Sequence, residues 1–267
     1  MYGLVSIIMP SYNTGKFIAE AISSVISQTY TNWELIIVDD ASTDNTAEIV
    51  SSLMASQAGS ATTGSSKIRF LKNEKNCGAA VSRNRALREA RGKWIAFLDS
   101  DDLWAPEKLQ KQLDFMVKNG YAFSYTKYEE IDEEGNHTGR VVGGPKSISK
   151  TRMFSYCWPG CLTVMYDRDV VGDIQIADIR KNNDYAMWLK VIRKAKCFIL
   201  PEKLAFYRER TDSISDHSYI SLIRWHYKLF REAECLNPVT SLWITARNLG
   251  FGFWKKIWYK GAILKCL

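Results

Sequence analysis

Four short apolar runs recur through the first 120 residues of the chain, and each is followed by a polar turn and a stretch with apolar residues at helical spacing. Short apolar runs predict buried strands, and strands that alternate with amphipathic helices predict an α/β fold with a doubly wound, mostly parallel sheet. The predicted strands are residues 5–9, which we expect Pro10 to end, 33–38, 68–71 and 94–98. The predicted helices cover about 15–27, 42–53, 79–91 and 106–118.

The second half of the chain has a different pattern. An acidic turn at 132–136 separates two runs, which predicts a hairpin. Asn182 and its polar neighbours begin a predicted helix, with Met187 and Trp188 on its apolar side. A stretch at 56–66, rich in small and polar residues, predicts a mobile surface loop. The predicted strands here are 121–128 and 140–142 of the hairpin, 161–166, 198–200 and 204–207.

Three carboxylates follow the fourth apolar run within four positions. Asp99, Asp101 and Asp102 would lie at the carboxyl end of a parallel strand, where open α/β sheets bind ligands. For a single acid, such as Asp102, capping a helix that begins near Pro106 is the better explanation. Three acids together favour a metal–phosphate site, because buried unpaired charges are costly and Mg²⁺ takes one or two carboxylates along with substrate phosphates.

A second acidic pair, Asp39 and Asp40, ends the second predicted strand. The carboxyl ends of parallel strands lie at one edge of the sheet, so this pair and the acids at 99–102 are expected to converge on one crevice. Ordinary turn chemistry explains Asp39 and Asp40 equally well when they are considered alone.

Composition restricts the class of protein and its partners. Hydrophobic residues make up 46% of the chain, enough for a normal core, and no apolar run approaches the length of a membrane span. The six cysteines are scattered without metal-binding spacing, which predicts reduced thiols in a cytoplasmic protein. The net charge of +7 is compatible with nucleic acid, an anionic membrane or phosphorylated substrates.

Much of the positive charge lies in the C-terminal tail, residues 240–267, which contains five basic residues, six aromatic residues and no acid. This composition predicts a helix that lies in an anionic membrane interface. The alternative is a helix packed on the rest of the protein, and Gly250 and Gly252 weaken a continuous helix in either case. The basic residues are Arg247, Lys255, Lys256, Lys260 and Lys265, and the aromatic residues are Trp243, Phe251, Phe253, Trp254, Trp258 and Tyr259.

Several short motifs follow one another in a characteristic order along the chain. They are SIIMPSYN at 6–13, QTY at 28–30, WELIIVDDASTD at 33–44, NCG at 76–78, SRN at 82–84, FLDSDD at 97–102, Asp184 with Trp188 and Leu189, YR at 207–208 and SIS at 213–215. In this order they resemble the family 2 glycosyltransferases, which have the GT-A fold. The resemblance covers about residues 4–217, and within the family the chain looks most like bacterial polysaccharide enzymes of the O-antigen or teichuronic acid type.

The resemblance implies transfer of a sugar from a nucleoside diphosphate, usually UDP, with inversion at the anomeric carbon. Pro10, Tyr12 and Asp39 match positions that hold the base and ribose of the donor. Arg83 matches a position near the donor phosphates or sugar. Arg208 and His217 match a loop that closes over the diphosphate.

The resemblance also implies a metal pair and a catalytic base. Asp99 and Asp101 match the DxD pair, with Asp101 the expected direct ligand of Mn²⁺ or Mg²⁺ and Asp99 also contacting the donor. Asp184 matches the base that removes the proton of the acceptor hydroxyl, although Asn183 stands where many relatives have a second acid. Trp188 is a candidate platform for the acceptor sugar, but its helical spacing fits a core position equally well.

By this resemblance the chain comprises a catalytic domain at 1–217, with a nucleotide-sugar half at 1–120 and a smaller acceptor half at 121–217, and a helical tail at 218–267. We expect a UDP-hexose donor, with glucose or galactose foremost, an undecaprenyl-diphosphate-linked acceptor, and peripheral attachment to the cytoplasmic face of the inner membrane.

Two other functions compete with this one. An inactive GT-A scaffold that binds membrane or nucleic acid would use the basic excess, but intact site acids would repel a polyanion, so nucleic acid is not an expected partner. A nucleotidyltransferase would share the metal–phosphate chemistry and leave Asp184 without a role.

Overall fold

The computed structural model describes residues 2–58, 67–210 and 219–263, with the side chains of 57–58, 219 and 254–263 left aside. Most of its elements belong to one sheet with helices on both faces. The strands are β1 (Val5–Ser11), β2 (Trp33–Asp39), β3 (Ile68–Lys72), β4 (Trp94–Phe97), β5 (Leu103–Trp104), β6 (Phe123–Ile131), β7 (His137–Val142), β8 (Ser147–Ile148), β9 (Met165–Asp167) and β10 (Cys197–Arg208). The helices are α1 (Ile18–Ile26), α2 (Thr46–Ala58), α3 (Ala79–Glu89), α4 (Lys108–Asn119), α5 (Lys150–Ser155), α6 (Arg168–Val171), α7 (Asn183–Val191), α8 (Tyr219–Lys228) and α9 (Pro238–Ile263).

The order of strands across the sheet is β3-β2-β1-β4-β9-β6-β10-β5, with β7 beside β6 and β8 beside β10. The first four strands are parallel, as the alternating pattern predicts. β9 is antiparallel to both of its neighbours and joins this parallel group to the parallel pair β6 and β10. The predicted mostly parallel α/β sheet is therefore confirmed, and strands of both halves of the chain lie in it.

Alternating side chains of the central strands supply two hydrophobic cores, one on each face of the sheet. Ile8 and Phe97 point into the core shared with α3 and α7, whereas Ile7 and Ala96 point into the core shared with α1 and α4. All seven residues of β1 and of β2 are buried. Burial on both faces explains why these strands appear in the sequence as continuous apolar runs without polar alternation.

Some predicted boundaries were wrong. β1 continues through Pro10 to Ser11, because β4 pairs with β1 only as far as Ile8 and the missing N–H of Pro10 removes no hydrogen bond to β4. Residues 161–166 are not one strand: Cys161–Thr163 form a 3₁₀ turn, and β9 begins afterwards. The two strands predicted at 198–200 and 204–207 are one strand, β10, with register shifts around Lys203.

Asp102 does not cap the following helix. α4 begins at Lys108, and its N-cap residue, Glu107, makes no side-chain capping bond. The carboxylate of Asp102 instead accepts a hydrogen bond from the backbone N–H of Arg208 at 3.0 Å, which ties the acidic turn to the end of β10. Of the predicted loop at 56–66, the first three residues belong to α2 and the remainder lies outside the described residues.

The tail folds back onto the protein as a continuous helix, α9, despite Gly250 and Gly252. One side of α9, its inward face, comprises Ser241, Ile244, Thr245 and Asn248, all buried. Asn248 donates a hydrogen bond to the hydroxyl of Tyr185 at 2.6 Å, and Tyr185 donates to the backbone carbonyl of Met153. A largely polar face is thus buried against α5 and α7.

Candidate active site at the carboxyl ends of the strands

The acidic turn after β4 presents two carboxylates to solvent and buries the third. The backbone N–H of Asp102 donates to the carbonyl of Asp99 at 3.1 Å, which closes the turn. The side chains of Asp99 and Asp101 remain 31% and 24% exposed, whereas Asp102 is buried. Burial raises the pKa of Asp101, and the charge of Asp99 raises it further while Arg210 lowers it. A ligand from solvent therefore meets Asp99 and Asp101 first.

Arg83 joins this turn to the second half of the chain. Its guanidinium contacts a carboxylate oxygen of Asp99 at 2.5 Å and donates to the side-chain carbonyl of Asn183 at 2.7 Å. Burial lowers the pKa of Arg83, but attraction to Asp99 and Asp184 outweighs this effect and raises it overall. Arg83 consequently remains a buried cation and holds the start of α7 beside the acids of β4.

The orientation of Arg83 depends on the loop that begins its helix. Asp40 is buried and accepts hydrogen bonds from the backbone N–H groups of Cys77 at 3.0 Å and Gly78 at 2.6 Å. Gly78 has a φ of +89°, which side chains other than glycine rarely adopt, and α3 starts at the next residue. Asp40 therefore supports the site through α3 and, on this evidence, has the structural role that turn chemistry predicts.

Asp184 lies in the first turn of α7, where Arg83 approaches its neighbour Asn183. Burial raises the pKa of Asp184, Arg83 lowers it, and the charge of Asp99 raises it. Asn182, which precedes the helix, has a φ of +58°. Positive φ is uncommon outside glycine, although asparagine tolerates it better than most residues. We call the space lined by Asp99, Asp101, Arg83 and Asp184 the acidic crevice.

Arg208 lies beside the acidic crevice with its whole head group paired. It donates to the carbonyls of Asp101 at 2.9 Å and Glu133 at 2.8 Å and forms an ion pair with Glu20 at 2.6 Å. Its side chain is 1% exposed, so in this arrangement it braces the acidic turn. Contact with a diphosphate, which the resemblance implies for Arg208, would require these bonds to rearrange.

Arg210 also reaches into the crevice, and it was not among the residues predicted from the sequence. It pairs with Asp101 at 3.0 Å and stacks over the ring of Phe17 at 5.0 Å. Arg208 approaches the same ring at 5.1 Å. The signal for Arg210 was its spacing, because residues two apart in an extended strand point to the same side.

The three residues expected to hold the donor base lie at the ends of β1 and β2. Pro10 is buried in β1, and the ring of Tyr12 is 45% exposed, which leaves it available for stacking. Asp39 is fully buried and its carboxylate accepts hydrogen bonds from the hydroxyl and backbone N–H of Ser42. Asp39 can therefore meet a base only if the turn at Ser42 shifts.

Trp188 is not an acceptor platform. Its side chain is fully buried, with its ring edge-on to Phe97 at 5.2 Å and tilted against Phe123 at 6.1 Å. The core position that helical spacing allowed is the correct one, because no face of the indole is open to a sugar. His217, the remaining candidate, lies outside the described residues.

The chemistry of the donor set fits a divalent cation bound together with a phosphate ligand. Asp99 and Asp101 offer carboxylate oxygens, which Mg²⁺ and Mn²⁺ prefer. Within residues 2–58, 67–210 and 219–263, no group of three or more His, Cys, Asp or Glu residues is arranged as a metal site. Two carboxylates are nevertheless the usual protein share of a Mg²⁺ site that is completed by substrate phosphates.

Comparison with known proteins agrees with this geometry. Residues 6–168 match the model of glycosyl transferase family 2. The chain is 38% identical over 241 residues to the putative teichuronic acid biosynthesis glycosyltransferase TuaG of Bacillus subtilis, covering 90% of this chain and 92% of TuaG. It is 39% identical over 226 residues to the Escherichia coli protein WfgD, named UDP-Glc:alpha-D-GlcNAc-diphosphoundecaprenol beta-1,3-glucosyltransferase, covering 83% of each.

Solved structures show the same fold at lower sequence identity. Residues 1–349 of S. aureus TarS, in complex with UDP-GlcNAc, superpose with a TM-score of 0.71 at 22% identity over 92% of this chain and 71% of that one. The mannosyltransferase PcManGT of Pyrobaculum calidifontis, in complex with GDP-Man and Mn²⁺, superposes with a TM-score of 0.61 at 18% identity over 99% and 81%. These likenesses confirm the GT-A fold, and the matches in sequence over most of the chain show that this protein belongs to glycosyl transferase family 2.

Proposed function

We propose that the protein transfers a hexose from a UDP-sugar to a saccharide linked to undecaprenyl diphosphate. Glucose is the favoured hexose, and galactose is the second candidate. The transfer inverts the anomeric carbon and forms a β linkage in the synthesis of O-antigen or another surface polysaccharide. The names of WfgD and of the 39% identical Escherichia coli relative WfaP, both UDP-Glc:alpha-D-GlcNAc-diphosphoundecaprenol beta-1,3-glucosyltransferases, support this donor and acceptor.

The observation that carries the proposal is the bridge made by Arg83. It contacts Asp99 on one side and Asn183, next to Asp184, on the other, so a metal-type acid and a separate acid face one crevice. Inverting transfer needs both: charge compensation for the leaving diphosphate, and a base for the attacking hydroxyl. A cation held by Asp99 and Asp101 supplies part of that compensation when bound.

In the proposed reaction, an acceptor hydroxyl attacks the anomeric carbon while the bond to UDP breaks. Asp184 takes the proton of that hydroxyl, and its raised pKa makes it a better acceptor than an ordinary surface aspartate. Arg83 and Arg210 add positive charge beside the departing diphosphate. Tyr12, which is half exposed, stacks on the base.

Peripheral attachment to the cytoplasmic face of the inner membrane completes the proposal, with 1–217 as the catalytic domain and 218–267 as the attachment region. Across the described residues, no helix is both long and apolar enough to cross a bilayer. The outward face of α9 exposes Val239, Leu242, Trp243 and Phe253, with exposed fractions of 60% or more. Exposed apolar side chains on one helical side suit an interfacial helix, since a lipid-linked acceptor is present only at the membrane.

Release of UDP tests the proposal. The purified chain is incubated with a panel of UDP-sugars, Mn²⁺ and a synthetic α-GlcNAc-diphosphate-alkyl acceptor, and the anomeric configuration of the product is determined by NMR. We expect acceptor-dependent UDP release with UDP-glucose and a β-linked product. No release with any donor would favour the inactive scaffold, and an α-linked product would exclude Asp184 as the base of an inverting reaction.

A further inference from the structure

Four aromatic side chains with no part in the proposed reaction lie together beside the acidic crevice. They form two edge-on pairs: Tyr128 with Tyr207, at 6.0 Å between ring centroids, and Tyr156 with Trp158, at 5.0 Å. The two pairs are neighbours, because Gly160, two residues after Trp158, lies so close to Tyr128 that a Cβ there would be 3.2 Å from its ring. All four side chains are only partly buried. We call them the aromatic cluster.

Two carboxylates and an arginine border the aromatic cluster. Glu130 is the direct neighbour of Tyr207 across the β6–β10 pairing and forms an ion pair with Arg140 at 3.0 Å. Glu209 lies 3.9 Å from the same arginine. Burial raises the pKa of Glu130 to about 7, although Arg140 opposes the shift. The border therefore offers both hydrogen-bond donors and acceptors but little net charge.

The position of the cluster links it to the acidic crevice at two points. Tyr207 directly precedes Arg208, which donates to the carbonyl of Asp101. Gly160 lies against Tyr128 so closely that a Cβ there would be 3.2 Å from the ring. The next residue, Cys161, is buried within electrostatic range of Arg83, Asp99 and Asp184. The cluster is therefore joined to the acidic crevice through the backbone of β10 at Tyr207 and Arg208 and through the segment at Gly160 and Cys161.

The opposite border of the cluster meets the tail. A Cβ at Gly252 of α9 would be 3.4 Å from the ring of Tyr156. The outward face of the same helix carries the exposed apolar residues that we assign to the membrane surface. Tyr156 therefore packs against the helix whose outward face we assign to the membrane, which places one end of the cluster next to the attachment region.

We propose that the aromatic cluster binds the saccharide of the acceptor, an inference that rests on the proposed function. Partly exposed aromatic rings with a few convergent polar groups are the usual lining of a ligand site, and the rings offer apolar faces to the C–H side of a pyranose. Glu130, Glu209 and the tyrosine hydroxyls suit the hydroxyls of a neutral sugar. The border carries little net charge, which suits the neutral saccharide better than the diphosphate of donor or acceptor.

Steady-state kinetics of Tyr207→Ala test the proposal, with α-GlcNAc-diphosphate-alkyl as the acceptor and UDP-glucose as the donor. We expect the KM for the acceptor to rise roughly 10- to 100-fold, the range that corresponds to losing one good aromatic contact. The KM for UDP-glucose and the slow hydrolysis of UDP-glucose without acceptor should stay within about twofold of the parent chain, because the donor lies elsewhere.

Phe206→Ala is the matched control. Phe206 is the neighbour of Tyr207 on β10, points to the other side of the strand, and packs edge-on against His137 at 5.3 Å. Its loss removes a similar partly buried ring without touching the cluster, so the KM for the acceptor should not change. A second variant, Tyr207→Phe, retains the ring and should keep most of the affinity, which separates stacking from a loss of local folding.

Three results would overturn the proposal. If Tyr207→Ala is active and its KM for the acceptor is unchanged, the aromatic cluster is not the acceptor site. The proposed function would not be affected by that result. An equal loss in donor hydrolysis would assign the cluster to the donor. A parent chain that releases no UDP from any donor would overturn the proposed function, and the subsite with it, before any variant is made.

Discussion

The acidic crevice and the outward face of α9 depart from the usual distribution of polar and apolar groups in opposite directions. In the crevice, Asp99, Asp101 and Asp184 are drawn together and partly or wholly removed from water. On α9, Leu242 and Trp243 face solvent while a largely polar face is buried. The first departure costs folding free energy, since the charges lose hydration, and the second forgoes the gain that burial of the apolar groups would give.

The two regions differ in the kind of partner that would stabilise them. The crevice gathers like charges that Arg83 and Arg210 only partly offset, so a cation with an anionic ligand would complete it. The outward face of α9 needs an apolar surface, and Arg247, which lies 4.7 Å from the ring of Trp243, adds a positive charge that anionic lipid would attract. We infer that each region is built for a partner that complements it: a cation with an anionic ligand in the crevice, and an apolar, anionic surface at α9.

The largest effect is expected from removing the charge that holds the cation. Asp101→Ala should abolish transfer, and excess EDTA should do so reversibly, because Asp101 is the expected direct ligand. UDP release is the measurement. Asp169→Ala is a suitable control, since this acid pairs at 3.5 Å with Lys93 on the surface and its side chain is 69% exposed. Full activity in excess EDTA would show that transfer does not depend on a cation in the crevice.

The next effect concerns the base. Asp184→Asn preserves shape and most hydrogen bonding but cannot accept a proton, so turnover at saturating acceptor should fall by about 10²–10⁴-fold. Binding of UDP, measured by calorimetry, should stay near that of the parent chain because its contacts lie elsewhere. If the variant keeps more than roughly a tenth of the turnover, Asp184 has only the stabilising role of an acid in the first turn of a helix.

A smaller effect should follow from changing the outward face of α9. The double variant Leu242→Gln, Trp243→Gln should bind anionic liposomes roughly tenfold less in sedimentation, because two exposed apolar side chains no longer enter the interface. UDP release with a water-soluble acceptor should not change. Equal liposome binding by the variant and the parent chain would show that the membrane contact lies elsewhere.

Truncation after Pro238 is a poorer test of the same idea. It would also remove Asn248 from the hydroxyl of Tyr185, next to Asp184, and would mix loss of membrane binding with damage to the catalytic helix. Ile244→Ala, on the inward face of α9, gives the opposite pattern to the outward variant. It should lower thermal stability and leave the intrinsic liposome affinity of the folded protein unchanged.

The smallest effect on activity is expected for a buried lysine that lies outside both regions. Lys108 is fully buried, with its ammonium 4.0 Å from the centre of the Trp104 ring, and burial lowers its pKa from 10.5 to about 7. Between these values the unfolded chain binds more protons than the folded protein, so the free energy of unfolding should rise with pH.

Lys108→Met should flatten that rise. The gain in stability of the variant near pH 6.5 should exceed its gain at pH 9 by about 2–3 kcal/mol, because the pKa is lowered by several units and one pKa unit corresponds to about 1.4 kcal/mol. Urea denaturation of both proteins at the two pH values is the measurement, and the difference between them cancels other titrating groups. An equal gain at the two pH values would mean that Lys108 remains charged in the folded state.

The sequence by itself determined the elements and the acidic turn. Continuous apolar runs predicted β1 to β4 because strands buried on both faces have no polar alternation. The carboxyl ends of parallel strands share one edge of a sheet, which explains why Asp99 and Asp101 could be assigned to a ligand site before their neighbours were known. Functional residues that lie close together in the sequence can therefore be identified from the sequence alone.

Only the tertiary structure decided which distant residues meet. Arg83 and Asn183 are separated by 100 positions, and Arg210 and Asp101 by 109, so no local pattern could pair them. Trp188 shows the same limit, because helical spacing places it on one side of α7 but not against the core or a ligand. The burial of the inward polar face of α9 could not be predicted either. Composition gives the residues that a helix contains, but only tertiary packing decides which of its sides is buried.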